Sequence, residues 1–207
     1  MKILRLSNNV FEENCYLVVE KDEITIIDPG FNYVKIKEYI TSNNLLLKRV
    51  FLTHGHIDHI ADIDKISKDY PNVPIYINEQ DIPFLYDSTL NVSKQSGMAK
   101  TYSDNMNIIP IFNETTIDGY RIYLTPGHTK GCILIEKGDY LFTGDTLFKG
   151  TIGRTDLPTG DIKEMEYSLK LISTSFSKDK KILPGHYDYS TLKDELKNNP
   201  YLKKKRR

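Results

Sequence analysis

Cysteine is scarce in this sequence: its 207 residues include only two, Cys15 and Cys132. Both lie in apolar runs typical of β-strands, NCYLVV and GCILIE. Two thiols are too few for the disulfide framework on which small secreted domains depend, and free cysteine is among the most frequently buried residue types. We therefore predict two buried free thiols and a reducing, cytoplasmic location.

The chain also lacks net charge, an apolar leader and a long apolar run. Lysine plus arginine and aspartate plus glutamate each number 28, so the formal net charge is zero. A net charge of zero gives no overall positive potential that would attract nucleic acid or an anionic membrane surface. No run approaches the ~18 apolar residues that a membrane-spanning helix needs, and no basic segment precedes an apolar stretch at the N-terminus. We expect a small molecule, rather than nucleic acid or a membrane, as the partner.

The one compositionally biased stretch is the C-terminus, KKKRR at residues 203–207. A basic run of this kind can bind nucleic acid or act as a targeting address. A short terminal run of charge is more often solvated and disordered, and that is the state we expect here.

The pattern of apolar residues predicts a mixed α/β chain that forms a single domain over residues 1–207. Helical spacing recurs at 34–43, 60–69, 160–174 and 191–198. The strand-like runs come in pairs with helices between them, which suggests two sheets packed face to face with helices outside. A polar segment at 87–107 predicts a long loop, and loops of this length in compact domains are usually functional or disordered.

Histidine is the other scarce residue, and its distribution is uneven. Three of the five histidines fall within THGHIDH at 53–59, directly after a strand-like run. Residues i and i+2 of an extended chain face the same side, so His54 and His56 can reach one cation. Asp58 and His59 follow where the chain turns into a helix, and they can point to a second cation. Imidazole and carboxylate suit zinc, iron or manganese.

The two remaining histidines and one aspartate repeat this arrangement. His128 in LTPGHTKG and His186 in ILPGHYDY each follow a Pro-Gly pair at the end of an apolar run, and Asp145 follows the apolar run of YLFTGD. We expect all of these side chains on loops at one edge of the fold. Since every histidine of the chain lies in such a motif, the pattern favours a metal site over isolated structural histidines.

In this order, the motifs THGHIDH, PGHT, GDTLF and PGH resemble the metallo-β-lactamase superfamily. The similarity runs from about residue 3 to about residue 202. It includes IIDPG at 26–30, GTIGRTDLPTGD at 150–161 and NNPYL at 198–202, which look most like the short glyoxalase II-like hydrolases (hydroxyacylglutathione hydrolases). The resemblance implies an α/β fold, a four-layer αββα sandwich of two mixed sheets flanked by helices, with metals at one edge of the sheets.

The resemblance also implies a binuclear site for two divalent ions, zinc first, with iron or manganese as alternatives. It assigns His54, His56 and His128 to one metal, Asp58, His59 and His186 to the other, and Asp145 as a bridge. The resemblance further implies a direct catalytic role for two of these ligands, Asp58 and Asp145. Asp28 would orient a ligand histidine, because a ligating imidazole usually donates its other N–H to a carboxylate or carbonyl. The alternative for Asp28 is a turn-forming aspartate before Pro-Gly.

A binuclear site of this kind predicts hydrolysis. Two cations about 3.5–4 Å apart can lower the pKa of a shared water from about 15.7 to about 7 and polarise a carbonyl. A thioester suits such a site, because its thiol has a pKa near ~8.5 and leaves without a general acid. By resemblance, the expected reaction is attack of a metal-bridging hydroxide on S-(2-hydroxyacyl)glutathione. Two-domain glyoxalase II enzymes carry a further C-terminal helical domain that helps to grip glutathione, and 207 residues leave no room for it, so the glutathione part of the substrate stays open.

We expect the substrate pocket to be shaped by the loops at 87–107 and 150–161. Arg154 can bind a substrate carboxylate, which its fork of donors matches, or can pair with Asp156. Lys130 stands where proline is common in the family, and it can attract an anionic substrate or remain in solvent. Tyr187 stands where glycine is common and would narrow the pocket.

Other functions use the same scaffold. A mononuclear iron persulfide dioxygenase shares much of this motif set, and one iron per chain with oxygen consumption would identify it. A lactonase or a phosphodiesterase is a second alternative, and an RNA-processing nuclease would need a basic surface, which only residues 203–207 offer. A non-enzymatic metal protein is the third, although a purely structural zinc site is usually four-coordinate and closed.

Overall fold

The computed structural model of the chain describes residues 1–8 and 10–203. The chain divides into two compact units, residues 1–111 and residues 112–207. The single domain over residues 1–207 stays a prediction. Residues 204–207 of the basic C-terminus lie outside the described residues, so the expectation of a solvated, disordered tail is not tested there.

The first unit is built on one six-stranded sheet. Its strands are β1 Lys2–Ser7, β2 Asn14–Glu20, β3 Glu23–Ile27, β4 Leu46–Phe51, β5 Ile75–Asn78 and β6 Ile108–Ile111, in that spatial order. Strands β1, β2 and β3 are antiparallel, whereas β3, β4, β5 and β6 run parallel. Parallel neighbours require a crossover connection, and the helices of this unit lie in those connections.

The helices of the first unit are short. They are α1 Tyr33–Ser42, α2 Ile57–Ile60, α3 Ile63–Asp69 and a 3-10 helix, Glu79–Leu85. In α1, the buried residues Ile36 and Ile40 are four apart and join the core of the sheet. The single helix predicted over 60–69 is wrong in one respect: it is interrupted at Asp62, whose amide donates to the Gly30 carbonyl and turns the chain between α2 and α3.

The second unit has a six-stranded sheet and a small two-stranded one. The strands are β7 Thr115–Ile117, β8 Tyr120–Leu124, β9 Ile133–Lys137, β10 Tyr140–Gly144, β11 Leu147–Phe148, β12 Thr151–Ile152, β13 Lys181–Pro184 and β14 Ser190–Thr191. The larger sheet has the order β14-β13-β10-β9-β8-β7, and β11 pairs with β12. In the larger sheet only β10 and β13 pair in parallel, so this sheet is mixed as well.

Two helices complete the described part of the second unit, α4 Ile162–Ser175 and α5 Leu192–Asn198. α4 begins after Asp161, whose side chain accepts hydrogen bonds from the amides of Lys163 and Glu164. Helical spacing places Met165 and Leu169 of α4 in the core of this unit. Burying a side chain of this kind contributes about 1.5–3 kcal/mol.

Both cysteines are free and buried, which confirms that prediction. Burial also raises the pKa of the Cys15 thiol well above its usual value. No helix among residues 1–8 and 10–203 combines the length and apolar character needed to cross a membrane.

Candidate metal centre

Four of the predicted ligands lie together in the first unit, after the end of β4 at Phe51. His54 and His56 precede α2, whereas Asp58 and His59 lie within it. The three imidazoles are almost fully buried. The ring centroids of His54 and His56 are 4.8 Å apart, those of His54 and His59 are 4.1 Å apart, and His59 Nε2 lies 3.7 Å from Asp58 Oδ2. The contiguous motif thus gathers its four candidate ligands into one group, in which the three imidazoles are buried.

Asp28 holds this group from the end of the neighbouring strand β3. Because β3 and β4 are parallel and Ile27 pairs with Phe51, the chain leaves both strands at the same edge. Asp28 Oδ1 accepts a hydrogen bond from the Thr53 amide at 2.7 Å, and Oδ2 accepts one from the Thr53 hydroxyl at 2.6 Å. The same Oδ2 lies 3.0 Å from Nδ1 of His59.

This network sets the tautomers of two imidazoles. Thr53 Oγ1 lies 3.2 Å from Nδ1 of His54. Because the Thr53 hydroxyl donates its proton to Asp28, its oxygen must accept from His54. Nδ1 is therefore the protonated nitrogen of His54 and of His59, and Nε2 carries the lone pair that a metal needs.

The other three predicted ligands lie in the second unit. Gly144 and Pro184 are partners in the parallel pair of β10 and β13, so Asp145 and His186 both follow closely on adjacent strand ends. His128 lies in the loop between β8 and β9. Asp145 Oδ2 is 3.4 Å from His128 Nε2 and 3.6 Å from His186 Nε2. One carboxylate oxygen thus faces two imidazole nitrogens.

The segment GTIGRTDLPTGD at 150–161 positions this second group through its backbone. The carbonyl oxygen of Arg154 accepts a hydrogen bond from His128 Nδ1 at 2.7 Å, so His128 also presents Nε2. A Cβ atom at Gly153 would lie 1.8 Å from the carbonyl oxygen of Asp145 and 3.2 Å from His128 Nδ1. Only glycine permits this approach. Whether the segment also shapes a substrate pocket stays a prediction.

Helix α4 supports the turn that precedes His128. Gly127 has a φ of +137°, and a Cβ atom there would lie 2.5 Å from the backbone of Met165. The hydroxyl of Ser168 donates to the Pro126 carbonyl at 2.6 Å. The Pro-Gly pair therefore forms a turn and also packs closely against α4.

The donor set fits a divalent metal. Four residues of the first unit and three of the second, all of them predicted as ligands, carry side chains of the kind that can hold a metal ion. The donors are imidazole nitrogens and carboxylate oxygens, a set that suits zinc, iron and manganese. Three of the imidazoles have Nδ1 against an oxygen, which is the usual environment of a ligating histidine.

Two of the residues predicted to contact substrate, Arg154 and Lys130, lie on the surface. The guanidinium of Arg154 makes two hydrogen bonds of 2.7 Å to the carboxylate of Asp156, the alternative that the sequence left open. This contact lowers the pKa of Asp156 to about 2. Lys130 is exposed, and its amide donates to Thr159 Oγ1 at 3.2 Å. Substrate contacts by Arg154 and Lys130 stay predictions.

Tyr187 directly follows His186 and has an unusual backbone. Its φ is +69°, and the residue is 63% exposed. The left-handed region costs a residue other than glycine roughly 1–2 kcal/mol. The ring centroid lies 5.3 Å from that of Phe148, which is 5.9 Å from the ring of His186. The chain therefore holds an aromatic ring beside a candidate ligand at the expense of backbone strain.

Comparison with known proteins identifies the family. Residues 8–186 match the family model described as the metallo-beta-lactamase superfamily. The chain belongs to the metallo-β-lactamase superfamily. Its fold is the metallo-β-lactamase fold, an α/β fold of mixed sheets with flanking helices, as predicted.

Two curated relatives cover almost the whole chain. "Probable metallo-hydrolase YqgX" of Bacillus subtilis is 30% identical over 207 residues, which are 98% of this chain and 98% of the relative. "Hydroxyacylglutathione hydrolase GloC" of Haemophilus influenzae is 31% identical over 214 residues, covering 99% of this chain and 100% of the relative.

Two solved structures superpose closely on this superfamily member. The BLEG-1 B3 metallo-β-lactamase has a TM-score of 0.89 at 26% identity, with 98% of this chain and 100% of that chain covered. TTHA1623, solved in a di-iron-bound form, has a TM-score of 0.86 at 29% identity, with 96% and 100% covered.

Proposed function

We propose that this metallo-hydrolase of the metallo-β-lactamase superfamily cleaves a small-molecule acyl thioester at a binuclear metal site. S-(2-hydroxyacyl)glutathione is the first candidate substrate. Support comes from the 31% identity to the Haemophilus influenzae protein named hydroxyacylglutathione hydrolase and from the stretches at 26–30 and 150–161, which resemble those of the short glyoxalase II-like hydrolases. The proposed ligands are His54, His56 and His128 for one metal, Asp58, His59 and His186 for the other, and Asp145 for both.

One observation carries the binuclear proposal. A single oxygen of Asp145 lies within 3.4 Å of His128 Nε2 and 3.6 Å of His186 Nε2. The proposal assigns these two imidazoles to different metals. A carboxylate oxygen placed against ligands of both metals is what a bridging aspartate requires.

Divalent metals bound to these residues would lower the pKa of a water and polarise the substrate carbonyl. The chain itself keeps its ligands in the state that this chemistry needs. Asp28 accepts a hydrogen bond from Nδ1 of His59, and the Arg154 carbonyl accepts one from Nδ1 of His128, so each ring is oriented with Nε2 free to face a metal. The leaving thiol, with a pKa near ~8.5, departs without a proton from the protein.

Zinc is the metal we propose first, with iron as the alternative. Both accept imidazole and carboxylate donors. The related TTHA1623 was solved with two irons, so iron has direct support from a relative. We propose Tyr187 as a substrate contact, because its exposed ring lies beside the candidate ligand His186.

The test is hydrolysis of S-D-lactoylglutathione by the purified, metal-loaded protein, followed by the loss of thioester absorbance. We expect turnover by the wild type, with at least a hundredfold loss and fewer bound metals in Asp145→Asn. Asp179→Asn, which removes an exposed carboxylate of the same unit, is the matched control and should leave both quantities unchanged.

The outcomes separate the parts of the proposal. Unchanged turnover and metal content in Asp145→Asn would remove the bridging role. Two bound metals without thioester turnover would reject this substrate class. A β-lactam would then be tested next, because BLEG-1 is described as a B3 metallo-β-lactamase. One iron per chain with oxygen consumption on glutathione persulfide would instead identify the dioxygenase.

A further inference from the structure

We infer that Asp81 is a positioning residue for the ligands His54 and His56, although it lies in a different element and is not itself assigned to a metal. The inference rests on the proposed metal site and concerns how that site is built. Asp81 belongs to the 3-10 helix Glu79–Leu85, and it is fully buried.

The contact that carries the inference is a hydrogen bond to the ligand segment. Asp81 Oδ2 accepts from the amide of Gly55 at 2.8 Å. Gly55 is the residue between His54 and His56, so this bond fixes a peptide plane that joins the two ligands. A hydrogen bond to an ionised carboxylate is roughly twice as strong as a neutral one.

Phe84, one turn further along the same 3-10 helix, closes on Gly55 from another direction. A Cβ atom at Gly55 would lie 2.4 Å from Phe84 Cβ. The ring of Phe84 is also 5.7 Å from the ring of His56. The helix therefore holds the residue between the ligands by a polar contact and by close packing.

The bond from Asp81 is one of three that follow an alternating pattern. Every second amide of the ligand segment donates to an acceptor elsewhere in the first unit: Thr53 to Asp28 Oδ1 at 2.7 Å, Gly55 to Asp81 Oδ2 at 2.8 Å and Ile57 to the Asn91 carbonyl at 2.9 Å. The two ligands occupy the positions between these amides. Their spacing is thus fixed by three separate parts of the unit.

Asn91, whose carbonyl accepts from Ile57, is also bonded to the 3-10 helix that carries Asp81. It is fully buried, and its side-chain amide donates to the carbonyls of Phe84 at 2.8 Å and Lys100 at 3.0 Å. The segment 87–107 therefore binds both the 3-10 helix and the ligand segment. This gives the long loop a role in supporting the metal ligands.

The experiment measures the metal affinity of the otherwise intact protein. Metal-free wild type, Asp81→Ala and Asp81→Asn would be titrated with zinc against a chromogenic chelator. Their Co²⁺ forms would be compared by visible absorption, which reports on ligand geometry. We expect Asp81→Ala to bind zinc about 10–100-fold more weakly, the usual effect of removing a partner outside the ligand set. Asp81→Asn keeps an acceptor oxygen without the charge, and should lose less.

Asp22→Ala is the matched control, because Asp22 is an exposed carboxylate of the same unit and lies in the turn between β2 and β3. It should keep wild-type zinc affinity. Thermal unfolding of each metal-free variant checks that the protein is folded.

Wild-type zinc affinity and a wild-type Co²⁺ spectrum in folded Asp81→Ala would overturn the inference. If Asp81→Ala does not fold, Asp81→Asn decides: a folded Asn variant with weaker zinc binding supports the role, and one with unchanged binding rejects it. A wild-type protein that binds no zinc or other divalent metal would overturn the proposed metal site together with this inference. Metal binding without thioester hydrolysis would overturn the proposed substrate alone.

Discussion

The two groups of candidate ligands are held in different ways. In the first unit, four ligands lie within the run 54–59, and carboxylates from other elements, Asp28 and Asp81, hold the segment that carries them. In the second unit, three ligands are far apart in the sequence. Their approach follows from the parallel pairing of β10 with β13 and from main-chain contacts at Gly153 and Arg154.

This difference indicates which substitutions each group tolerates. A group held by side chains is weakened by removing a distant carboxylate. A group held by the main chain is insensitive to the identity of most neighbouring side chains, but it depends on the few positions where a Cβ atom does not fit. The two groups should therefore respond to the same kind of mutation to different degrees.

The largest contrast is expected from adding a methyl group to one glycine of each group. In Gly153→Ala the new Cβ would meet a backbone carbonyl oxygen at 1.8 Å, whereas in Gly55→Ala it would meet Cβ of Phe84 at 2.4 Å. The overlap is larger at Gly153, because the distance there lies further below an ordinary van der Waals contact. We expect Gly153→Ala to lose about 3 kcal/mol or more and Gly55→Ala about 1–2 kcal/mol of unfolding free energy, since overpacking typically costs 1–3 kcal/mol. Urea denaturation of the metal-free proteins measures both.

A double variant provides the control for this prediction. Part of the stability lost in Gly55→Ala should be recovered when both residues at position 55 are compared in a Phe84→Ala background, because Phe84→Ala removes Cγ and Cδ1, two of the three atoms that the new Cβ would meet. Equal losses in the two single variants, or no recovery in the double variant, would contradict the distinction between the groups.

A smaller contrast is expected between the partners of two ligand histidines. Asp28→Asn replaces the carboxylate beside His59 and Thr53 by an amide, which has one acceptor oxygen instead of two. Asparagine tolerates the φ of 50° at this position. We expect zinc binding to weaken about 10–100-fold. Arg154→Ala leaves the carbonyl that faces His128 in place, and should bind zinc as the wild type does.

Competition with a chelator, at a pH where both variants are folded, tests this pair. A loss of affinity in Arg154→Ala as large as that in Asp28→Asn would show that the arginine side chain also supports the metal site.

The smallest effect is expected at the surface pair of Arg154 and Asp156. The pKa of Asp156 is lowered from 3.8 to about 2, chiefly by its hydrogen bond to Arg154. Because the folded pKa lies below the unfolded one, the pair stabilises the protein above about pH 4 and this contribution disappears as the pH falls toward 2. An NMR titration should place the Asp156 midpoint near 2 in the wild type and nearer its ordinary value in Arg154→Ala. The same midpoint in both proteins would contradict the assigned cause.

The candidate ligand residues stand out in the sequence because they repeat one local pattern. Each of His54, His128 and His186 closely follows an apolar strand, and a strand end is a place that the sequence marks with a tight turn. Strands with several buried residues, such as β2 and β4, were predictable for the same reason. The two-residue strands β11, β12 and β14 were not, because two residues carry no periodicity.

The residues that hold the candidate ligands in place are harder to predict from the sequence. The bond from Asp81 to Gly55 has no local pattern, because an aspartate near the start of a helix is expected there in any case. The contact from Arg154 uses a carbonyl group, which every residue has. One indication was present: Gly153 interrupts GTIGRTD, and a glycine beside a strand often marks a close approach of two backbones.

The alternating amide bonds of the ligand segment also have a consequence for protein design. The sequence HGHIDH, transplanted to another strand-helix junction, would bring its imidazoles and carboxylate but none of the acceptors that hold residues 53, 55 and 57. A designed metal site loosened by about 1 Å commonly fails because its supporting shell was left to chance. The smallest transferable unit is therefore the motif together with the β3 turn, the 3-10 helix and the loop that contains Asn91.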